Sequence, residues 1–339
     1  MKAAVYVEKS RPLVLKDLPK PDPGPGQIRV RVKACGVCGS DIHASEADWT
    51  PTNIVMGHEF AGLVDAVGDG VKHWRPGDRV VPLAQISCGA CAACRAGNER
   101  PCENPEMIDY NPKHGGAYAE YTIVGAPDAL PMPDSLSFEE AAAVEPLAVG
   151  LDAARRAALT DEDSVLVIGG GPIGLAITQW ARFFGARDVI VSELNPARLK
   201  IAKAMNATGT IDASSSPDTI NAFIEMTGRK PTVIIEAVGL PGMIQRCIEM
   251  AEPETRIVVV GVCQTTDTFE PMQCIIKSLN LIFAYGYSTK DYAYIIELLG
   301  AGKLTAKPLI SHQISLAELP DVFEALRMPT DQIKVIVQP

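Results

Sequence analysis

The sequence predicts an α/β protein of two domains, one β-rich and one built on a doubly wound parallel sheet. Three observations lead there. At 339 residues the chain exceeds the roughly 100–200 residues of a usual single domain. Turn signals crowd the first 146 residues or so. There PKPDPGPGQ, VGDG and RPGDRV separate short β-branched runs such as IRVRV (28–32) and FAGLVDAV (60–67), the pattern of a barrel-like β region. Beyond Pro146, apolar strands alternate with helical segments, which indicates a parallel sheet with helices on both faces.

Each later element has a local reason. Proline suits the first turn of a helix, so one starts near Pro146 with LAVGLDAARRA (147–157) as its body. SVLVIGG (164–170) is a strand, followed by a helix to about 184. DVIVSE (188–193) and the helical PARLKIAKAM (196–205) come next. The strands TVIIEAVG (232–239) and RIVVVGV (256–262) flank the helical GMIQRCIEMA (242–251), and LIFAY (281–285) closes the series. A helix near 290–301 and the terminal KVIVQP are expected to return to the first domain. The opening MKAAVYVEKSRPLVL reads as a strand from almost residue 1 and lacks the apolar core and cleavage site of a secretory signal.

Composition narrows the function. A formal net charge of −10 argues against a general nucleic-acid partner. No apolar run approaches the roughly 18–20 residues needed to span a bilayer, so no membrane role is expected. Nine cysteines, an odd number with four clustered, suit a reducing cytoplasm better than an oxidising exterior.

Those four, Cys88, Cys91, Cys94 and Cys102, form C-x2-C-x2-C-x7-C in a polar, Gly/Ala-rich stretch. Gaps of two residues seldom suit disulfide geometry, whereas one loop can wrap four thiolates around an ion. A closed tetrahedral sulfur shell is the preference of structural zinc.

Gly169, Gly171 and Gly174 make G-x-G-x-x-G directly after the strand SVLVI, with Pro172 and Ile173 inside the turn. In that context the glycines permit a tight turn and close approach to a pyrophosphate, which meets helix N-terminal amides. Glu193 ends the next strand, nineteen residues past Gly174, where a carboxylate accepts both hydroxyls of an adenosine ribose and repels a 2′-phosphate. NAD is therefore expected over NADP. Arg198, one helical turn on, either softens that preference, stacks under adenine or lies on a solvated face.

A second metal constellation lies in CGVCGSDIH (35–43) and GHE (57–59). Cys38 offers a thiolate, His58 an imidazole, and Glu59 or the distant Glu145 a carboxylate. Three such ligands leave a fourth position open, as in catalytic zinc, where the ion acts as a Lewis acid on a hydroxyl. Beside a dinucleotide domain this implies hydride transfer. Cys35, Cys247, Cys263 and Cys274 are read as packing residues, the last two at or just beyond a late strand, while His73, His114 and His312 receive no role.

Taken in order, CGVCGSDIH, GHE, the cysteine lobe, VEPLAV, GGGPIG and RPGDRV resemble the zinc-containing medium-chain dehydrogenase/reductase family over the whole chain. The resemblance implies a GroES-like catalytic domain at 1–147 and 287–339 around a Rossmann NAD-binding domain at 148–286. It makes the lobe zinc structural, giving two zinc ions per chain. GHE and EPL resemble the sorbitol and butanediol dehydrogenase branch, which implies Cys38, His58, Glu59 and Glu145 around the catalytic metal, directly or through water. Ser40 and His43 match the family's proton relay, a job that suits a hydroxyl and an imidazole; Ser40 is otherwise a helix cap and Asp41 a local charge partner. The implied reaction moves a hydride between a small alcohol and NAD, giving a ketone or aldehyde, in a homodimer or homotetramer. Rival readings are a non-catalytic NAD-binding sensor and a zinc-free reductase using NADPH. One departure bears on substrate: Tyr285 is followed by Gly286 where sorbitol-type members place an arginine. The short stretch after the relay histidine, ASEADWTPTN, brings Trp49 in place of a string of polar groups. With Trp49 and Tyr110 expected to line an apolar pocket, the expected substrate is a less polar secondary alcohol or vicinal diol.

Overall fold

The structure, a computed structural model, describes every residue except 87, 89, 97–101, 111–114 and 329; His114 thus lies outside the described residues. The chain divides into two compact units, Met1–Glu145 with Ser288–Pro339, and Pro146–Tyr287.

The first unit is built on a seven-stranded sheet. Its central strand, Gln27–Gly36, pairs antiparallel with Glu59–Val67 on one side and with the terminal Lys334–Gln338 on the other. Alternating burial along Gln27–Val32 puts Ile28, Val30 and Val32 into the core and leaves Arg29 and Arg31 outside it, the expected signature of a half-covered antiparallel sheet. Ile28, Val30, Phe60, Val64, Met56, Val335 and Phe323 belong to one apolar cluster. The returning C-terminal strand therefore contributes to the same core as the N-terminal strands. It also sets a register that matters later: Gly36 faces Glu59 across one strand pair and Ile336 across the other.

The second unit holds six parallel strands in the order 209–212, 188–193, 164–168, 233–236, 256–259, 280–283. In chain order that is 3-2-1-4-5-6, the doubly wound dinucleotide-binding arrangement, with its topological switch between Ser164–Ile168 and Val233–Glu236. Both of these strands are buried at every position, as a sheet covered on two faces requires. The strands end earlier than the sequence suggests, at Ile168, Glu236 and Val259. Gly169 and Gly239, at φ +100° and +73°, turn the chain away from the sheet there, in the region where left-handed backbone favours glycine. Cys247 is fully buried, as expected of a packing residue, whereas Cys274 sits in the short helix Pro271–Ile276 and not at a strand.

Candidate metal centre and cofactor crevice

Three elements of the first unit bring Cys38, His58 and Glu59 together. Cys38 caps the helix Gly39–Ala44, which follows the central strand, and Glu59 opens the strand Glu59–Val67. One ligand atom from each of the three lies within 4.8 Å of the others. The close register is possible because residue 36 is glycine: a Cβ there would stand 2.1 Å from Glu59 Oε2. That oxygen is buried and has no hydrogen-bond partner among the described residues. A buried, unmatched carboxylate oxygen beside a thiolate and an imidazole is a donor set in want of a cation, so these residues fit zinc. Glu145, buried at the start of the helix Val144–Arg156, does not join the three within that distance.

Glu59 has a partner that the sequence reading passed over. Lys334, only 1% exposed, donates from Nζ to Glu59 Oε1 at 2.6 Å and to the Val37 carbonyl at 3.0 Å. Burial works against a charged lysine, but Glu59, Cys38 and Glu145 outweigh it and hold the ammonium above its ordinary pKa. In sequence Lys334 looks like any polar residue opening a strand. Only the antiparallel return to Gln27–Gly36 puts it inside.

His58 is held from its other side. Its Nδ1 lies 2.6 Å from Asp109 Oδ2 and 3.5 Å from Asp41 Oδ1, all three side chains being buried. Burial opposes a charged ring, yet the two carboxylates raise the His58 pKa well above the ordinary histidine value. With Nδ1 engaged by carboxylate, Nε2 is the nitrogen left for a metal, the usual division of labour in a ligating histidine. Asp41 also accepts from Tyr118 Oη at 2.5 Å, Tyr110 Oη at 3.1 Å and the Cys38 N–H at 3.3 Å. It is thus a buried hub rather than a local charge partner.

Ser40 and His43 lie three residues apart on the helix Gly39–Ala44, a spacing that puts them on one side of it. Ser40 is half-buried and His43 exposed. Tyr110 Oη donates to Ser40 Oγ at 3.4 Å, and the Tyr110 ring packs edge to face on Trp49 at 5.6 Å. Ser40 lies within the helix and does not cap it; Cys38 takes that position.

The four lobe cysteines also converge, with all sulfurs within 4.8 Å of one another. Zinc–sulfur bonds of about 2.3 Å imply a tetrahedron with edges of about 3.8 Å. The Cys91–Cys94 and Cys88–Cys94 sulfurs stand 3.4 Å and 4.0 Å apart. Backbone N–H groups of Cys94 and Glu103 draw the Cys91 thiol down to about 6, which favours the thiolate that a metal requires.

In the second unit the glycine turn leaves the strand Ser164–Ile168 at the switch point and opens the helix Pro172–Phe183. Gly174 packs so tightly that a Cβ would meet the Gly169 carbonyl oxygen at 2.0 Å, while Gly171 faces open space. That combination seals the turn and leaves room for a pyrophosphate at the helix N-terminus. Glu193 lies against this turn, accepting from the Gly170 N–H at 2.7 Å, and from the Leu194 and Asn195 N–H groups at 2.7 and 3.0 Å. Arg198 Nη1 comes to 3.8 Å from Glu193 Oε2, so it is not a freely solvated residue.

Comparison with known proteins agrees with this arrangement. Residues 24–134 match the alcohol dehydrogenase GroES-like domain and residues 172–301 the zinc-binding dehydrogenase domain. The chain is 33% identical to sorbitol dehydrogenase of Bacillus subtilis (strain 168), covering 100% of this chain and 97% of that protein. Among solved structures it is similar to a zinc-binding dehydrogenase of Sinorhizobium meliloti 1021 bound to NADP, at 30% identity and a TM-score of 0.90, covering 100% of this chain and 99% of that one. It is also similar to 2R,3R-butanediol dehydrogenase of Bacillus subtilis, at 29% identity and a TM-score of 0.89 with the same coverage. With relatedness along its whole length and both domains matched, the chain belongs to the zinc-containing medium-chain dehydrogenase/reductase family, the alcohol dehydrogenases.

Proposed function

We propose that this enzyme oxidises a secondary alcohol or vicinal diol to a ketone with NAD, reversibly. The observation that carries the reading is the convergence of Cys38, His58 and Glu59 with one buried, unmatched carboxylate oxygen. Those three residues would hold a zinc ion, with Glu145 near enough to Lys334 to influence its charge and to serve the metal through water. Bound there, zinc supplies a Lewis acid for the substrate hydroxyl. Ser40 takes the hydroxyl proton and His43, exposed on the same helix, delivers it to solvent. The hydride leaves the same carbon for the nicotinamide, so the alcohol loses two electrons and the cofactor gains them. Cys88, Cys91, Cys94 and Cys102 would hold a second, structural zinc.

NAD is the cofactor we favour, although the Sinorhizobium meliloti relative was solved with NADP. Glu193 ends the strand Asp188–Glu193 against the glycine turn, and a carboxylate at that strand end favours a ribose 2′-hydroxyl and repels a 2′-phosphate. Trp49 and Tyr110, packed edge to face near Ser40, would give the substrate an apolar wall, consistent with a diol or simple alcohol. A second reading, a sugar-alcohol substrate, is favoured by the sorbitol dehydrogenase relative. A homodimer or homotetramer is consistent with the edge strand Asn280–Phe283 and the exposed Met272, Ile275 and Ile276 that precede it. No helix among the described residues is long and apolar enough to cross a membrane, and the substantial set of free cysteines suits a reducing cytoplasm.

NADH formation over a panel of secondary alcohols, vicinal diols and sugar alcohols, with NADP in parallel, tests the proposal. Turnover with a secondary alcohol or diol and NAD is expected. Turnover confined to sugar alcohols would favour the second reading, and silence across the panel with NAD bound would contradict both.

A further inference from the structure

We infer that Asp109 is a positioning residue for the catalytic metal, acting through His58, and that it ties the metal centre to the cysteine lobe. The inference rests on the metal reading above. Two buried carboxylates face His58 Nδ1, but that nitrogen has one proton to give. Distance decides between them: Asp109 Oδ2 is at 2.6 Å and Asp41 Oδ1 at 3.5 Å. The competing demands point the same way. Asp41 is shared among two tyrosine hydroxyls and the Cys38 N–H, whereas Asp109 Oδ1 has no hydrogen-bond partner among the described residues. Asp109 therefore sets the ring: it accepts the hydrogen bond from Nδ1–H, fixes the tautomer and leaves Nε2 to the metal.

Its place in the chain gives this contact a wider meaning. The strands Gln85–Ile86 and Glu106–Met107 pair antiparallel at the base of the segment that carries all four lobe cysteines. Ile108 continues that pairing, with its N–H on the Ala84 carbonyl at 3.0 Å, and its side chain is fully buried. Asp109 is the next residue, so the lobe's exit strand delivers it to His58. Carboxylates that orient a ligating histidine typically carry about 10- to 100-fold of metal affinity, and burial removes the water that would otherwise substitute for one.

The test is zinc release from the purified full-length enzyme into a chromogenic chelator, followed in time. Wild type is expected to lose zinc in two phases, one absent in Cys38→Ala and the other absent in Cys94→Ser. In Asp109→Ala the Cys38-dependent phase should quicken by about 10- to 100-fold while the lobe phase keeps its rate. Asp109→Asn keeps the shape and an oxygen acceptor, so its acceleration should be smaller, nearer the tenfold end of that range. Should Asp109→Ala also lose its lobe phase, the isosteric Asp109→Asn decides by the same criterion. An unchanged Cys38-dependent phase in the deciding variant would overturn the role of Asp109 and leave the metal reading intact. Wild type without any Cys38-dependent phase would instead overturn the metal reading on which it rests.

Discussion

Replacing Lys334 by Met removes the cation from the middle of the β-rich unit. Glu59 and Lys334 side chains are 1% and 2% exposed, and their charged atoms meet at 2.6 Å. Methionine fills a similar volume but leaves Glu59 Oε1 without its donor and the Val37 carbonyl without its N–H. Removing one partner of such a buried pair costs about 3–5 kcal/mol, because the surviving charge stays buried and uncompensated. With a urea slope near 3 kcal/mol per molar, the unfolding midpoint should fall by roughly 1–1.7 M. Two internal controls follow from the same geometry. Adding Glu59→Gln removes the stranded charge, so the double variant should recover more than half of the loss. Zinc in the Cys38 site would counter the same charge, so the loss should be larger after metal removal than before it. Circular dichroism during urea unfolding, with and without zinc, reads all three. A midpoint shift too small to resolve in Lys334→Met, or a double variant no more stable than the single one, would mean that Lys334 does not compensate a buried charge on Glu59.

Four further expectations can be checked together. Gly174→Ala forces a Cβ to within 2.0 Å of the Gly169 carbonyl oxygen; the strain of about 1–3 kcal/mol should appear as NADH binding weakened about 5- to 150-fold in a fluorescence titration. Glu193→Ala frees the amides of Gly170, Leu194 and Asn195 and removes a repelling charge, so the ratio of kcat/KM for NAD over NADP should fall at least about tenfold. Ser40→Ala should lower kcat by about 100-fold or more with KM little changed, the size expected of a lost proton-transfer group; unchanged turnover would remove Ser40 from the relay. Cys94→Ser should bring zinc content down by one ion per chain while the Cys38 site stays filled, measured by elemental analysis.

What the sequence discloses here follows the range of the physics involved. The parallel strands announce themselves because burial on both faces demands continuous β-branched runs such as SVLVI and TVIIE. The strand Gly209–Asp212 does not, since it is four residues long and lies at a sheet edge, and the helix Thr219–Thr227 is only nine residues long and marked chiefly by its ends, the Asp218 cap and Gly228 at φ +72°. Cysteine spacing and the glycine turn are local devices, legible because the ligand is gripped within one short segment. Asp109 and Lys334 are the opposite case. Each acts on a residue far away, 51 positions from His58 and 275 from Glu59, and neither sits in a pattern that distinguishes it from a surface charge. Asp41 is intermediate: its neighbourhood in CGVCGSDIH draws notice, but the two tyrosines that make it a hub come from residues 110 and 118.

The most direct test of the account follows turnover and zinc content together as a mild chelator strips the enzyme. Two zinc ions per chain are expected at the start, and NAD-dependent oxidation should vanish in step with the ion that Cys38→Ala lacks, returning when zinc is restored. Full turnover after that ion has gone, or activity that tracks only the lobe zinc, would contradict a catalytic metal at Cys38, His58 and Glu59.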